Sequence, residues 1–246
     1  MTLQRLLSLV RSAVQEYDMI SCGDRVAVGV SGGKDSLALL VALAHLRRFY
    51  PKSFVLHAFT VDMGFDPPAD FSSVAALCRE LEVEYTVIPT QLYRLIFQER
   101  REPNPCALCA KMRRGALANA AVAAGCNKLA LGHHADDLID TFMLNMLYAG
   151  SLSTFSPVTP WEKSGLMLIR PMLHVWEKEL SGFLTHYPLP VVPSACPADK
   201  ATRRQEVKEL LAGLEKNNRD LKAKLYGALR RAGISGLQAP SSKERL

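Results

Sequence analysis

The sequence predicts an α/β protein built on an open parallel sheet of five strands, with helices on both faces of the sheet. Two observations predict this class. Short apolar runs rich in Val, Ile and Leu alternate along the chain with longer segments of helical periodicity. Such alternation is typical of parallel strands joined by crossover helices. The chain of 246 residues, 48% of them hydrophobic, is also long enough to bury a substantial core.

The elements follow one another in a regular order after an N-terminal amphipathic helix. That helix is predicted over 3–17, because apolar residues recur there three and four positions apart. The predicted strands are short and apolar: 25–30, 54–61, 84–89, 128–131 and 166–169. The predicted helices of the main domain are 34–50, 72–81, 92–101, 106–124, 135–148 and 177–186. For the helix over 106–124, Asn104 is the predicted N-cap and Pro105 the predicted first helical residue.

Changes in composition divide the chain into three regions. We predict an N-terminal helix in 1–23, a main domain in 24–198 and a helical C-terminal extension in 199–246. A proline-rich connector, 188–193, leads out of the main domain. The extension combines a charged helical region, 200–232, with a polar tail, 238–246, which we expect to be frayed.

Charge and cysteine content narrow the classes of function. The net charge of +6 permits a polyanionic partner such as RNA but does not require one. No run of residues is long and apolar enough to predict a membrane span, and the N-terminus does not have the pattern of a secretory signal, so we expect a cytoplasmic protein. In that reducing compartment the six cysteines are not expected to form structural disulfides.

A glycine-rich motif, Ser-Gly-Gly-Lys-Asp-Ser at 31–36, lies between the first strand and the next helix. Gly32 and Gly33 let the backbone approach oxygen atoms that a Cβ would exclude, and the start of the helix offers N–H groups to an anion. Lys34 adds a cation. The loop is not of the Walker A type, because Val28 stands where that motif requires glycine. The motif predicts a phosphate-binding loop, the alternative being a turn without a ligand.

A second motif is Cys106-Ala-Leu-Cys109, in the first turns of a predicted helix. A helix N-terminus lowers a thiol's pKa, and thiolates ligate metals or attack sulfur. Cys196, in an irregular loop, is the best candidate for a third ligand. Three cysteines would hold a [4Fe–4S] cluster with one iron open to another ligand. The alternatives are a dithiol or persulfide redox pair and cysteines without a role. Structural positions are expected for Cys22, Cys78 and Cys126.

A third motif, Gly-His-His-Ala-Asp-Asp at 132–137, follows the fourth strand. Asp136 and Asp137 open the next helix, where negative charge is favoured. They are candidates for binding the Mg²⁺ that accompanies a nucleotide triphosphate, or they cap the helix. His133 and His134 are expected to pack or to contact nucleotide through the backbone rather than to ligate a metal.

Together, the motifs resemble those of the PP-loop ATP pyrophosphatase superfamily and, within it, the tRNA 2-thiocytidine synthetases. The matching segments are Tyr17-Asp-Met-Ile20, the loop at 31–36, the cysteine pair with Arg113-Arg114-Gly115, Gly-His-His-x-Asp-Asp and Ile169-Arg-Pro-Met172. The resemblance implies an adenine-nucleotide alpha-hydrolase-like sheet with strand order 3-2-1-4-5. It also implies an enzyme that adenylates a tRNA base, releasing pyrophosphate, and installs sulfur with an oxygen-sensitive [4Fe–4S] cluster.

The resemblance also implies roles for individual residues. ATP binding falls on Ser31, Gly32, Gly33, Lys34, Asp35, Ser36, Val61, Asp62, Met63, Gly132 and His133. Catalysis falls on Lys34, Arg113 and Asp137, with Mg²⁺ on Asp136 and Asp137. The cluster ligands are Cys106, Cys109 and Cys196.

The resemblance implies two partners: tRNA and a sulfur donor. The donor is either sulfide or persulfide sulfur from a cysteine desulfurase. A homodimer is compatible with these partners. No membrane partner is expected. The substrate atom is carbon 2 of a pyrimidine, with cytidine favoured over uridine. Thiouridine-forming relatives have zinc-binding cysteine pairs at both ends, which this sequence does not have. Two other functions remain open: a tRNA ligase of the lysidine-synthetase type, and an ATP-sensing or redox-sensing module without catalysis.

Overall fold

The structure is a computed structural model, and it describes residues 1–100, 105–162, 164–193, 195–196 and 203–237. One sheet runs through it in the order β3-β2-β1-β4-β6-β5. The strands are β1 (Asp24–Gly29), β2 (Phe54–Asp62), β3 (Glu84–Pro89), β4 (Lys128–Ala130), β5 (Val158–Trp161) and β6 (Leu166–Ile169). The helices are α1 (Leu3–Glu16), α2 (Lys34–Leu46), α3 (Ser72–Glu80), α4 (Pro105–Ala123), α5 (Ala135–Ala149), α6 (Glu177–His186), α7 (Arg203–Glu215) and α8 (Leu221–Arg231).

The five predicted strands lie in the predicted order and are parallel, so the fold class is confirmed. The fifth predicted strand is β6, and the sheet has a sixth strand, β5, that the sequence did not predict. β5 pairs antiparallel with β6 at the sheet edge. Pro160 in its middle argues against a strand on sequence grounds, but proline is tolerated in an edge strand because one side makes no ladder hydrogen bonds.

Most predicted helices begin and end within a few residues of the observed ones. The largest differences are a π-helix at Arg94–Glu99 in place of the helix over 92–101, and two helices, α7 and α8, in place of one region over 200–232. α4 begins at Pro105 as predicted. The predicted cap Asn104 and the tail 238–246 lie outside the described residues.

Helices cover both faces of the sheet, and each face has its own apolar core. α1, α2, α3 and α6 pack on one face, where Leu6, Leu40 and Phe183 are fully buried. α4 covers the other face around Phe59 and Leu129. Through the part of the chain that the structure describes, no helix is both long enough and apolar enough to cross a membrane.

The C-terminal helices complete the structure on the side of α5. Val207 and Leu211 of α7 are buried against Ile139 and Met143 of α5. Further along, the Tyr17 hydroxyl donates a hydrogen bond to the Leu237 carbonyl at 2.7 Å, which joins the end of the extension to the end of α1. The extension is therefore packed beside the motif at 132–137, which opens α5.

Candidate active site

The loop at 31–36 connects β1 to α2 at the carboxyl edge of the sheet. Gly32 has φ of +82°, and a Cβ there would lie 2.9 Å from Val192, so only glycine suits the position. Ser36 Oγ donates to the Gly33 carbonyl at 2.9 Å and accepts from Ser31 N–H at 3.1 Å. Gly33 is the N-cap of α2 and has no side chain to cap the helix, while its own N–H donates to Ser31 Oγ at 3.3 Å. The first N–H groups of the helix itself are therefore available to an anion.

Lys34 lies in the first turn of α2 between two carboxylates. Its Nζ is 2.7 Å from Asp35 Oδ1 and 3.3 Å from Glu177 Oε1. Burial works to lower the pKa of Lys34, but the two carboxylates outweigh it and hold the pKa above its usual value. The lysine is therefore a firmly charged group beside the loop. No local signal in the sequence identified Glu177, because it starts α6 and reaches Lys34 only through the fold.

The motif at 132–137 packs directly against this loop. A Cβ on Gly132 would lie 3.2 Å from backbone atoms of Asp35 and Ser36, so glycine permits the close approach. Next along the chain, His133 contacts the Phe155 ring, and burial lowers its pKa to about 4, which keeps the imidazole neutral. Neither histidine is in a group of metal-binding side chains among the described residues.

Asp137 and His134 form a reciprocal cap at the start of α5. Asp137 Oδ2 accepts the His134 N–H at 3.1 Å, and His134 Nδ1 accepts the Asp137 N–H at 3.4 Å. Asp137 also lines the central pocket and lies 3.5 Å from Arg204 Nη1. The capping role left open by the sequence is thus present, and one oxygen of the carboxylate still faces the pocket side.

Asp136 is buried and points toward the C-terminal helices. Its carboxylate accepts the Glu177 N–H at 2.7 Å and Lys222 Nζ at 2.8 Å. Burial alone would raise the pKa of Asp136, but these two donors outweigh it and hold the pKa below its usual value. Asp136 does not line the pocket. The two adjacent carboxylates therefore differ in surroundings, which the sequence did not distinguish.

The three predicted cluster ligands come from two separate segments. Cys106 is exposed and lines the pocket, whereas Cys109, one turn further along α4, is half-buried. Cys109 and Cys196 are close enough to influence each other's ionisation. Burial raises the pKa of Cys109, and nearby Arg113 opposes this only in part. The predicted lowering of this thiol's pKa by the helix N-terminus is therefore wrong, because burial is the larger effect.

The chemistry of these thiols suits an iron–sulfur cluster, because thiolates are the ligands that such clusters prefer. Among the described residues, no three His, Cys, Asp or Glu side chains lie close enough to hold one metal ion. The donor set of Cys106, Cys109 and Cys196 fits a cluster with one iron not ligated by the protein.

One pocket of about 1320 Å³ joins these features. This volume exceeds the roughly 300–1,000 Å³ of common small-molecule sites, so it has room for a nucleotide and part of a second substrate. The predicted site residues that line it are Ser31, Asp35, Ser36, Val61, Cys106, Arg113, Gly132, His133 and Asp137. The other predicted site residues are not among its lining: Gly32, Gly33, Lys34, Asp62, Met63, Cys109, Asp136 and Cys196.

Several lining residues had no predicted role in the site. Phe155 and Arg170 lie at the end of the sheet beyond β4, and Thr141 and Leu144 lie on α5. Arg203 and Arg204 line the pocket at the start of α7. Two sequence signals pointed to residues of this group: Arg170 belongs to the quoted segment 169–172, and Arg203 and Arg204 form a basic pair that could contact phosphates, although a solvated helix face was the favoured interpretation of that pair.

The loop between β1 and α2 and the motif that packs against it define a PP-loop nucleotide-binding protein. The family model described as a PP-loop domain matches residues 5–214. A relative from Pelobacter propionicus is 39% identical over 229 residues, which are 92% of this chain and 85% of the relative. Another, from Citrifermentans bemidjiense, is 41% identical over 230 residues, 92% of this chain and 89% of the relative. Both are named tRNA-cytidine(32) 2-sulfurtransferase, and the chain belongs to this family of PP-loop proteins.

Solved structures agree with this assignment. The U34-tRNA thiolase NcsA from Methanococcus maripaludis, solved with its [4Fe–4S] cluster, has a TM-score of 0.76 and 25% identity. The match covers 93% of this chain and 78% of the thiolase. An NH3-dependent NAD synthetase from Campylobacter jejuni shares the fold with a TM-score of 0.50 and 16% identity, covering 98% of each chain.

Proposed function

We propose that this protein is an ATP-dependent tRNA sulfurtransferase that replaces the oxygen on carbon 2 of a cytidine with sulfur. The observation that supports this most directly is the single pocket that is lined both by the PP-loop and by Cys106 and Arg113 of α4. A nucleotide on the loop and a sulfur source at the cysteines would then meet in one cavity. The relatives are named for cytidine 32 of tRNA, which supports the same nucleotide as the target here.

ATP binding is assigned to the PP-loop and the start of α2. The N–H groups there and the hydroxyls of Ser31 and Ser36 are suited to the oxygens of pyrophosphate. Lys34 and Arg113 add positive charge where the bond between the α and β phosphates breaks. Asp137, with one carboxylate oxygen toward the pocket, is the residue we assign to Mg²⁺, and Asp136 supports it from the buried side. Val61 lines the pocket at the end of β2, where adenosine would lie.

Adenylation solves a chemical difficulty. The oxygen on carbon 2 of cytosine is a poor leaving group, and its attack on the α phosphate releases pyrophosphate and attaches AMP to that oxygen. Sulfur then forms a bond to carbon 2, and the carbon–oxygen bond breaks, with the electron pair leaving on AMP. Each turnover therefore yields thiocytidine, AMP and pyrophosphate.

Cys106, Cys109 and Cys196 are the residues we assign to a [4Fe–4S] cluster. When bound, the cluster supplies an iron with an open position for the sulfur that is transferred. Arg113, one turn beyond Cys109, would place positive charge between the thiols and the nucleotide. The sulfur that reaches carbon 2 is at the oxidation level of sulfide. It comes either from sulfide itself or from persulfide sulfur of a cysteine desulfurase, which a pair of thiols must first reduce by two electrons, becoming a disulfide. A homodimer is compatible with the pocket.

The tRNA must bring one base into this pocket, together with the phosphates that flank that base. Arg113 and Arg114 on α4 and Arg203 and Arg204 on α7 line the pocket. Arginine is well suited to phosphate oxygens, which supports contacts with the tRNA backbone around the target base. The base itself would have to leave its stack to reach the loop.

Anaerobic purification and nucleoside mass spectrometry test the function together. We expect a brown protein with about four irons per chain, from the cluster type, and thiocytidine missing from the tRNA of a strain without the gene. A colourless protein that still releases pyrophosphate with tRNA would indicate the ligase instead. A protein that turns over no ATP with any tRNA would indicate a binding module.

Cys196→Ser tests the ligand set. We expect this variant to lose the cluster and all thiolation but to bind ATP as the wild type does, because Cys196 is not on the PP-loop. Iron content, visible absorbance and ATP affinity measure these properties. Cys22→Ser is the matched control, since Cys22 is exposed and its thiol contacts Ser53 Oγ at 3.2 Å, away from the pocket lining. Normal iron content in Cys196→Ser would remove Cys196 from the set.

A further inference from the structure

Arg170 is a buried arginine at the carboxyl end of β6. Only 6% of its surface is exposed. Its Nη1 donates to the Ser156 carbonyl at 2.5 Å and to Thr159 Oγ1 at 2.9 Å, and its guanidinium lies 4.9 Å from the centre of the Phe155 ring. One nitrogen and one face of the guanidinium are thus fixed by β5 and the segment before it.

The opposite edge of the same guanidinium has no partner. Nε is buried without a hydrogen bond, and no hydrogen bond joins Nη2 to another described residue. No described carboxylate lies within 4.0 Å of the guanidinium either. Leaving a buried cation without a counter-charge is costly, and protein interiors seldom retain one. Arg170 lines the pocket, so an anion in the pocket could supply both the charge and the acceptors.

A second arginine increases the positive charge at this position. Burial lowers the pKa of Arg170 to about 10, and Arg114 on α4 contributes to that lowering. Arg114 also lines the pocket, and it is exposed, with Nε donating to the Ala110 carbonyl at 3.0 Å. Two positive charges held near each other indicate a site for an anion, because each arginine destabilises the charged form of the other until an anion binds.

We propose that Arg170, assisted by Arg114, binds a phosphate group of the tRNA backbone beside the target base. This inference rests on the proposed function. Nε and Nη2 form one edge of a planar fork whose two parallel N–H bonds match two oxygens of a phosphate. A fork already fixed by Ser156 and Thr159 loses little freedom on binding.

The position of Arg170 in the sheet favours the tRNA over ATP as the source of this phosphate. The PP-loop follows β1, and β4 lies between β1 and β6. Neighbouring strands are about 4.8 Å apart, so Arg170 starts roughly 10 Å from the loop. A phosphate on the PP-loop is therefore on the far side of β4 and of His133. The acceptor nucleotide would occupy the space between them and brings its own phosphates.

Binding of an unmodified tRNA transcript at several salt concentrations tests the proposal with the intact protein. Arg170→Gln is expected to weaken tRNA binding about tenfold, because one hydrogen-bonded ion pair is lost. Arg170→Lys keeps the charge but is also expected to weaken binding about tenfold, because lysine cannot make the two parallel hydrogen bonds of the arginine fork. For Arg170→Gln, the slope of log affinity against log salt should become shallower by about 1. ATP affinity should stay within about twofold of the wild-type value.

Two further variants separate phosphate binding from a structural role. Thr159→Val removes one Nη1 contact and keeps the charge, so we expect tRNA affinity to be retained even if the melting temperature falls. Arg114→Gln changes an exposed side chain and should also lower the salt slope. If Arg170→Gln does not fold, Arg114→Gln and Arg170→Lys together still test the site.

Each contrary result has a distinct meaning. Wild-type tRNA affinity in the Arg170 and Arg114 variants would overturn this inference alone. Weaker ATP binding with unchanged tRNA binding would assign the phosphate to the nucleotide and overturn the tRNA assignment. A wild-type protein that binds no tRNA would overturn the proposed function and the inference with it.

Discussion

Single residues in this site are set by partners that are distant in sequence. Lys34 of the PP-loop contacts Glu177, 143 residues further along the chain, and Glu177 also lies 3.4 Å from Lys208 Nζ on α7. The carboxylate is thus shared between a lysine of the loop and a lysine of the extension. In the proposed function, pyrophosphate bound beside Lys34 would compete with this carboxylate for the same ammonium group.

Lys34→Met tests the role of that charge. We expect pyrophosphate release in the presence of tRNA to fall by a factor of about 10²–10³, the range seen when one group that stabilises developing charge is removed. Affinity for tRNA should be unchanged, because Lys34 is assigned to the phosphates of ATP and not to the tRNA backbone. The measurement is a pyrophosphate-release assay with saturating tRNA and ATP.

Lys52→Met is the matched control for Lys34→Met. Lys52 is also paired with an aspartate, at 2.5 Å from Asp18 Oδ1, but it lies before β2 and outside the pocket. A rate for Lys34→Met that equals the rate of this control would show that the PP-loop lysine does not act on the phosphates.

At the scale of elements, the C-terminal helices are part of the site as well as of the fold. Arg204 of α7 reaches Asp137, Lys208 reaches Glu177, and Lys222 of α8 reaches Asp136. Asp136, Asp137 and Glu177, at the starts of α5 and α6, therefore each have a basic partner on the extension. These pairs hold the three acidic residues in place and offset their negative charge.

Lys222→Met tests how strongly α8 is attached through the Asp136 pair. Lys222 is only partly exposed and Asp136 is buried, so the variant leaves a buried carboxylate with the Glu177 N–H as its remaining donor. We expect the free energy of unfolding to fall by about 1–3 kcal/mol, the cost of an under-satisfied buried group. Urea denaturation at neutral pH measures this change.

A double-variant cycle gives the Lys222 test its control. Lys222→Met with Asp136→Asn should destabilise the protein by about 1 kcal/mol less than the sum of the two single effects, because the residues are in contact. Lys216→Met, at an exposed position near the end of the same extension, should change little. Strict additivity of the Lys222 and Asp136 effects would mean that the pair does not attach α8.

An element could be predicted from the sequence where the residues that determine it lie close together in the chain. The strands and helices around the PP-loop follow from periodicity within each segment, and the loop follows from its own glycines and Lys34. β5 could not be predicted, because Pro160 is acceptable only at an edge, and edge position is a property of the whole sheet. Glu177 and Lys222 acquire their roles from contacts 143 and 86 residues away, respectively.

On the scale of the whole molecule, burial of histidines controls the response to acid. Burial lowers the pKa of four histidines, His45, His57, His133 and His174, below the usual value of 6.5, more than nearby carboxylates raise it. Asp140 works in the opposite sense, since burial raises the pKa of this carboxyl to about 6. Compared with the unfolded chain, the folded protein therefore keeps these four imidazoles neutral and this aspartate protonated more often.

The direction of the pH dependence follows from which state binds more protons. Below about pH 6.5 the unfolded chain protonates its histidines while the folded protein does not, so acidification favours unfolding. Asp140 has the reverse effect between about pH 4 and pH 6, but it is one group against four histidines. We therefore expect the free energy of unfolding to fall as the pH is lowered from 7 to 4.

His57→Gln isolates one contribution to this acid sensitivity at a residue outside the pocket lining. His57 is buried on β2, with Nε2 at 2.8 Å from Thr86 Oγ1, a contact that glutamine can also make. We expect the variant to lose less stability than the wild type between pH 7 and pH 4, by about 1.4 kcal/mol for each unit by which burial lowers the histidine pKa. Urea denaturation across this range measures the difference, and His186→Gln, at an exposed position, is the control. Parallel stability curves for His57→Gln and the wild type would show that burial of this imidazole is not what makes the fold sensitive to acid.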